Sequence, residues 1–200
     1  MISQIPGGKE GLDQLVCDGK TQRGSAIETD DSNHRFIGHI TLYARGLGVA
    51  LVQKCYDTHE SSERAALKEL LSSMDLTGVL IQADALHTPP VVFRRSLAQR
   101  ADVLLTVKSQ QNPLHRQIGC QFEGKRKIPV TPMDHEKRYG RDTVLELRGR
   151  EAPEHNIVNW PGSAWTAEVI TDTLTRQAKR KISRHLSLTS SAPRHKPCGA

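Results

Sequence analysis

The sequence predicts an α/β fold: a mixed sheet flanked by helices. Three observations predict it. Residues 36–44 and 49–56 alternate apolar and polar side chains around Arg45-Gly-Leu-Gly48, the pattern of a β-hairpin. Apolar runs at 79–84 and 102–107 then alternate with helical patterns. Strand–helix–strand order implies parallel neighbours joined by right-handed crossovers. Finally, 200 residues with 36% hydrophobic content suffice for one medium domain with a proper core, or a domain plus a tail.

The elements follow in order. Residues 1–11 are Gly-rich and expected to be flexible. Residues 12–17 form a short apolar strand ending at Asp18, and Gly19-Lys-Thr-Gln-Arg-Gly-Ser25 reads as a polar turn. Residues 26–34 read as a loop before the hairpin. Ser61 or Ser62 caps a helix whose Ala65, Ala66, Leu67, Leu70, Leu71 and Met74 share one broad face. Asp75-Leu-Thr-Gly78 ends it, and 79–84 is a buried strand delivering Asp84. Pro89-Pro90 opens a second helix running to Arg100, with Val91, Val92, Leu97 and Ala98 at helical spacing. Residues 102–107 form another buried strand and 112–121 a further helix. Residues 123–137 are polar and basic, a loop. Residues 142–147 and 166–171 read as strands, separated by a turn anchored by Trp160 and Trp165. From Arg176 periodicity is lost; the chain becomes basic and Ser-rich, and disorder is expected from about residue 186. The implied organisation is a flexible 1–11, a core at 12–122, a β-rich continuation at 123–175, and a basic tail at 176–200. A hairpin followed by alternating strands is the order of a ribonuclease-H-like mixed sheet, one option among several.

Bulk properties narrow the function. No apolar run approaches a membrane span, and no basic-then-apolar leader opens the chain, so a cytoplasmic protein without membrane contact is expected. Cys17, Cys55, Cys120 and Cys198 form no CxxC pair, so independent reduced thiols are expected. A formal charge of +6 favours a polyanionic partner. No acid follows Asp172, whereas Arg176, Lys179, Arg180, Lys181, Arg184, Arg194 and Lys196 do.

The candidate chemistry lies in Asp18 and Asp84. A strand that ends on a carboxylate fixes its backbone and presents its oxygens at the sheet edge, as divalent-cation sites require. The plainer alternative is that each Asp caps a turn. Two such carboxylates on adjacent strands could share two Mg²⁺ ions, which activate a water or 3′-hydroxyl and stabilise the leaving oxygen in phosphodiester chemistry. Spacing alone does not bring them together.

Four segments carry a family resemblance: Asp18-Gly-Lys-Thr-Gln-Arg-Gly-Ser25, the 58–71 helix, Gly78-Val-Leu-Ile-Gln-Ala-Asp-Ala-Leu-His87, and Ala101-Asp-Val-Leu-Leu-Thr-Val-Lys-Ser-Gln-Gln111. A weaker match continues through Arg138-Tyr-Gly-Arg-Asp142 and Ala152-Pro-Glu-His155 to Trp165. Together they resemble the insertion-sequence DDE transposases of the H-repeat-associated type over roughly residues 12–172. The resemblance implies a ribonuclease-H-like fold and DNA cleavage and strand transfer at transposon ends. It implies Asp18 and Asp84 as catalytic, metal-binding carboxylates, and Mg²⁺ or Mn²⁺ as the cofactor. DNA is the implied partner, with self-association or association with intact transposase possible. Lys20, Arg23, Lys108, Gln111 and Arg141 would lie near DNA.

The chain departs from the family pattern in several places. A family segment before the first aspartate is lacking. Tyr139 replaces a family His, and Gln110 an Asn. The family's Glu-bearing helix finds no counterpart: Glu146, Glu151, Glu154 and Glu168 match no such motif. The tail, Leu188-Thr-Ser-Ser-Ala-Pro, diverges from a family Leu-Thr-Ser-Leu-Arg-Thr-Thr-Pro in a way that one choice of codons explains by a frameshift near Ser190. A truncated, catalytically incomplete copy is therefore expected. Alternatives are a non-catalytic DNA-binding remnant that interferes with intact transposase, or a nuclease of the same fold.

Other motifs carry less. Gly19-Lys-Thr21 ends like a phosphate-binding loop, but Gln14 stands where its first glycine belongs. The nine histidines form no ligand-spaced cluster, so structural or exposed roles are expected. Trp160 and Trp165 suit packing under a turn better than base stacking.

Overall fold

The computed structural model describes residues 14–22, 27–28, 34–57, 61–84, 90–110, 112–124, 128, 130–138, 141–153, 160–176 and 179–190. The chain divides into two compact units, Met1–Leu104 and Leu105–Ala200. The division falls within a strand, where the sequence suggests a boundary after residue 122.

In the first unit, β1 (Gln14–Thr21) is central. The hairpin strands β4 (Ile37–Ala44) and β5 (Val49–Asp57) lie to one side, after a two-residue ladder between β2 (Ile27–Glu28) and β3 (His34–Arg35). On the other side lie β6 (Leu80–Asp84) and then β7 (Asp102–Val107), the strand in which the division falls. β1 pairs antiparallel with β4 and parallel with β6, so the sheet is mixed as the sequence predicts.

Two helices accompany these strands. α1 (Glu63–Ser72) is capped by Ser62, whose hydroxyl accepts from the Ala65 N–H at 3.3 Å. It buries Ala66, Leu67, Leu70 and Leu71. Leu67, Leu70 and Leu71 join a core with Leu15, Ile40, Leu42, Leu76, Val79 and Ile81, so one face of the β4–β1–β6 sheet is apolar and helix-covered. α2 (Pro90–Ala98) adds Val92 to that core and buries Phe93 completely.

β1 corrects one expectation. The sequence predicts a strand stopping at Asp18 and a glycine turn after it. The strand instead continues to Thr21, paired with β4 as far as Thr21↔Gly38. Gly19 and Gly38 are strand residues here, and each makes room for a neighbour. A Cβ at Gly19 would lie 1.9 Å from Glu63 Oε1, and one at Gly38 would lie 2.4 Å from Tyr56 Cζ. Tyr56 is the cross-strand partner of Gly38. Burial, and then the nearby Glu63 carboxylate, push the Tyr56 phenol above its ordinary value. Gly38→Ala must displace an aromatic ring. The expected cost is about 1–3 kcal/mol in urea unfolding. A neutral or stabilising result would contradict the packing described.

The second unit contains α3 (Asn112–Gly119) and four strands in the order β11-β10-β9-β8. These are β8 (Val130–Arg138), β9 (Arg141–Glu151), β10 (Trp165–Thr175) and β11 (Arg180–Thr189), with antiparallel pairs throughout. Two of them correct the sequence expectations. β8 occupies the predicted 123–137 loop, and β11 occupies the predicted basic, disordered tail. β11 is tied along its whole length to β10, from Trp165↔Thr189 to Leu174↔Arg180. Its charges have partners: Arg180 Nε donates to both Asp172 carboxylate oxygens at 3.0 Å, and Arg184 donates to Glu168. The Arg180 hydrogen bond holds the Asp172 carboxyl below the usual carboxylate range. Leu186 and Leu188 are buried. Trp160 is buried at the turn preceding β10, which agrees with a packing role.

Candidate metal centre on an open sheet face

Alternation along β1 and β6 sorts their side chains by face. Leu15, Ile81 and Ala83 are buried in the core. The Cys17 thiol packs against the same core, and burial pushes its pKa up to about 12. Gln14, Val16, Asp18 and Lys20 therefore face the other way, as do Gln82 and Asp84. The parallel ladder pairs Gln14↔Leu80, Leu15↔Ile81 and Val16↔Gln82. The pairing ends at Val16↔Gln82; the same offset carried two residues further would set Asp18 beside Asp84 on that face. Adjacent strands lie about 4.8 Å apart, a separation that metal ions about 3.5–4 Å apart can bridge.

Asp84 ends β6 and is half-buried, as the sequence predicts. Asp18 is exposed, and its Oδ2 lies 3.1 Å from Lys20 Nζ. Among the described residues, no group of three His, Cys, Asp or Glu side chains converges as a metal site. The donor set is nevertheless suitable. Mg²⁺ keeps several waters and commonly takes only one or two carboxylates, with substrate phosphate oxygens completing its shell. Two hard carboxylates on rigid strands meet that requirement, with Lys20 giving way or turning to phosphate.

The other residues singled out in the sequence are divided. Lys20 stands beside Asp18. Arg23 and Gln111 lie outside the described residues. Lys108 and Arg141 are exposed and belong to the second unit. Glu146, Glu151 and Glu168 also belong to the second unit, and Glu154 lies outside the described residues. Glu168 is fully buried between Arg148 and Arg184, an ion-pair role that explains its place in the fold without a metal.

Sequence reasoning missed the surroundings of Asp18. A cavity of about 660 Å³ opens on this face, its wall including His39, Thr41, Tyr43, Arg45 and Gln82 as well as Asp18 and Lys20. Gln14 Nε2 donates to Gln82 Oε1 at 2.6 Å, and Arg45 donates to Gln14 Oε1 at 3.3 Å. These residues come from strands distant in sequence, and only lateral pairing gathers them. The period-2 placement of His39, Thr41 and Tyr43 is the one signal that shows they share a face.

No family model matches the chain. Individual proteins do. "Putative transposase YncI" of Escherichia coli O157:H7 is 31% identical over 146 residues, covering 72% of this chain and 35% of that protein. "H repeat-associated putative transposase YbfD" of Escherichia coli K12 is 25% identical over 146 residues, covering 73% of this chain and 54% of that protein. The chain is similar to proteins named as putative transposases, H-repeat-associated ones among them. "Uncharacterized protein in dhlA 3'region" of Xanthobacter autotrophicus is also similar, 32% identical over 116 residues, 58% of this chain and 38% of that protein. The chain thus spans roughly a third to just over half the length of these curated proteins. Among its described residues, no helix is long and apolar enough to cross a membrane.

Proposed function

We propose that the first unit is the metal-binding part of a DDE-type phosphoryl-transfer centre acting on DNA, on a ribonuclease-H-like sheet. The observation that carries this reading is the β1–β6 register, which pairs Val16 with Gln82 and, continued at the same offset, would bring Asp18 beside Asp84. The strand order, with a hairpin antiparallel to β1 and β6 parallel to it, supports the fold. The transposase-named relatives support DNA as the partner. Asp18 and Asp84 would hold Mg²⁺ or Mn²⁺, which supplies charge neutralisation at the scissile phosphate and an activated oxygen nucleophile. Lys20 offers a cation to phosphate oxygens beside the pair.

No third carboxylate joins the pair among the described residues, which supports reading the centre as incomplete. The expected outcome is DNA binding that weakens steeply with salt, with no Mg²⁺-dependent cleavage of its own element's ends. Absence of DNA binding even at low salt would refute the reading. Cleavage abolished by Asp84→Ala would refute the incompleteness. Cleavage of any DNA without preference for ends would favour a nuclease of this fold. Binding unaffected by Asp18→Ala and Asp84→Ala, with no metal bound, would favour a non-catalytic DNA-binding remnant.

A further inference from the structure

The open face of the first unit has a second chemical character besides its carboxylates. Tyr43, 40% exposed, stands on it as a large aromatic surface. It lies opposite Val16 on β1, at the point where the β4–β5 register shifts between Leu42 and Tyr43. Cations stand on both sides of this ring. Arg45, held to β1 by its own N–H donating to the Gln14 carbonyl at 3.0 Å, lies at one end. Its guanidinium donates to the neutral Gln14 amide, and no carboxylate pairs with it among the described residues, so its charge remains available. Lys20, opposite His39, lies at the other end. From Gln14 to Lys20 the strand runs about 20 Å, room for a few nucleotides. Asp18, the one carboxylate in the cavity wall among the described residues, is offset by Lys20 at 3.1 Å.

We propose that this face is a track for single-stranded DNA. Tyr43 stacks on an unpaired base, Arg45 and Lys20 hold phosphates on either side of it, and the strand is led toward Asp18. An exposed ring flanked by cations on a sheet is the combination that binds single strands, since every unstacked base offers a π-face. A paired duplex hides those faces, so the ring has no use for it. The Gln14–Gln82 amide pair at the Arg45 end supplies neutral hydrogen-bonding groups to the track. The inference rests on the DNA reading above and adds the strand state and the contact residues.

The test measures fluorescence anisotropy of a labelled thymidine oligonucleotide, and of a duplex of the same length, with the full 200-residue chain. The single strand is expected to bind more tightly than the duplex. Tyr43→Ala and Arg45→Ala are each expected to weaken it by about fivefold or more. Tyr43→Phe keeps the stacking surface and is expected to bind like the unmodified chain. Lys68→Ala, an exposed cation on α1, is expected to change affinity by less than about twofold. Circular dichroism melting of each variant verifies that it is folded. If the unmodified chain binds single strands and the Tyr43 and Arg45 variants bind equally well, this face is not the track. Tighter binding to duplex also overturns the inference. If the unmodified chain binds no DNA, the underlying DNA reading fails with it.

Discussion

Arg184→Ala is expected to destabilise the protein by about 3 kcal/mol, measured by urea unfolding, because it strands a buried carboxylate. Glu168 is wholly inaccessible to solvent, on the middle strand of β11, β10 and β9. Arg148 is its direct cross-strand partner on β9, with Nη1 3.6 Å from Oε2. Arg184 approaches diagonally from β11, its Nε donating to Oε1 at 2.5 Å. α3 helps close this region, as a Cβ at Gly119 would lie 3.7 Å from Leu186 Cδ1. Loss of Arg184 leaves only the longer Arg148 contact. Breaking one partner of a buried pair typically costs about 3–5 kcal/mol, and the remaining arginine places this case at the low end. Glu168→Gln is expected to cost less. The Arg148 and Arg184 side chains are 30% and 46% exposed, so their charges reach water once the carboxylate is gone. A cost for Arg184→Ala below that of Glu168→Gln would contradict this account.

The second large effect lies beneath the candidate site. Leu15→Ala is expected to cost about 3 kcal/mol, again by urea unfolding. Leu15 is fully buried near the start of β1, between Ala44 of β4 and Ile81 of β6. The α1 leucines and Leu42 complete its surroundings in one core cluster. Truncation removes apolar contact and leaves a cavity that rigid strands cannot close. The same strand carries Asp18 three residues on, so divalent-cation affinity is expected to fall as well. A stability change under about 1 kcal/mol would mean that the core does not anchor β1 as described.

These two sites differ in how far the sequence reveals them. The hairpin, α1, β6, α2, β7, β9 and β10 all announce themselves through periodicity and flanking turn residues. β11 does not, because Arg180, Lys181 and Arg184 suggest a solvated tail. Its alternation is nonetheless present: Ile182, Arg184, Leu186 and Leu188 share a face, and Arg184 is admitted there by Glu168. A buried carboxylate sixteen positions upstream, announced by neither pattern nor spacing, gives the half-exposed Arg184 its partner in the sheet. β8 is hidden similarly, since a polar strand at the end of a sheet order needs no apolar face of its own. β1 is misjudged at its end because glycines usually signal turns. Gly19 and Gly38 instead accommodate Glu63 and Tyr56, a requirement that only the folded neighbours impose. Asp18 and Asp84 are legible individually as strand-borne carboxylates. Their alignment depends on the β1–β6 register, and the Tyr43–Arg45 surroundings depend on lateral pairing with β4.

The alignment of Asp18 with Asp84 is the centre of this account, and direct titration of Mn²⁺ tests it. Isothermal titration calorimetry on the unmodified chain, on Asp18→Asn and on Asp84→Asn separates a shared site from two independent surface carboxylates. The account predicts measurable Mn²⁺ binding that each single substitution weakens by at least about tenfold, while urea stability changes little for the exposed Asp18. Mn²⁺ binding unchanged in both variants, or altered by only one of them, would contradict a site shared by the two aspartates.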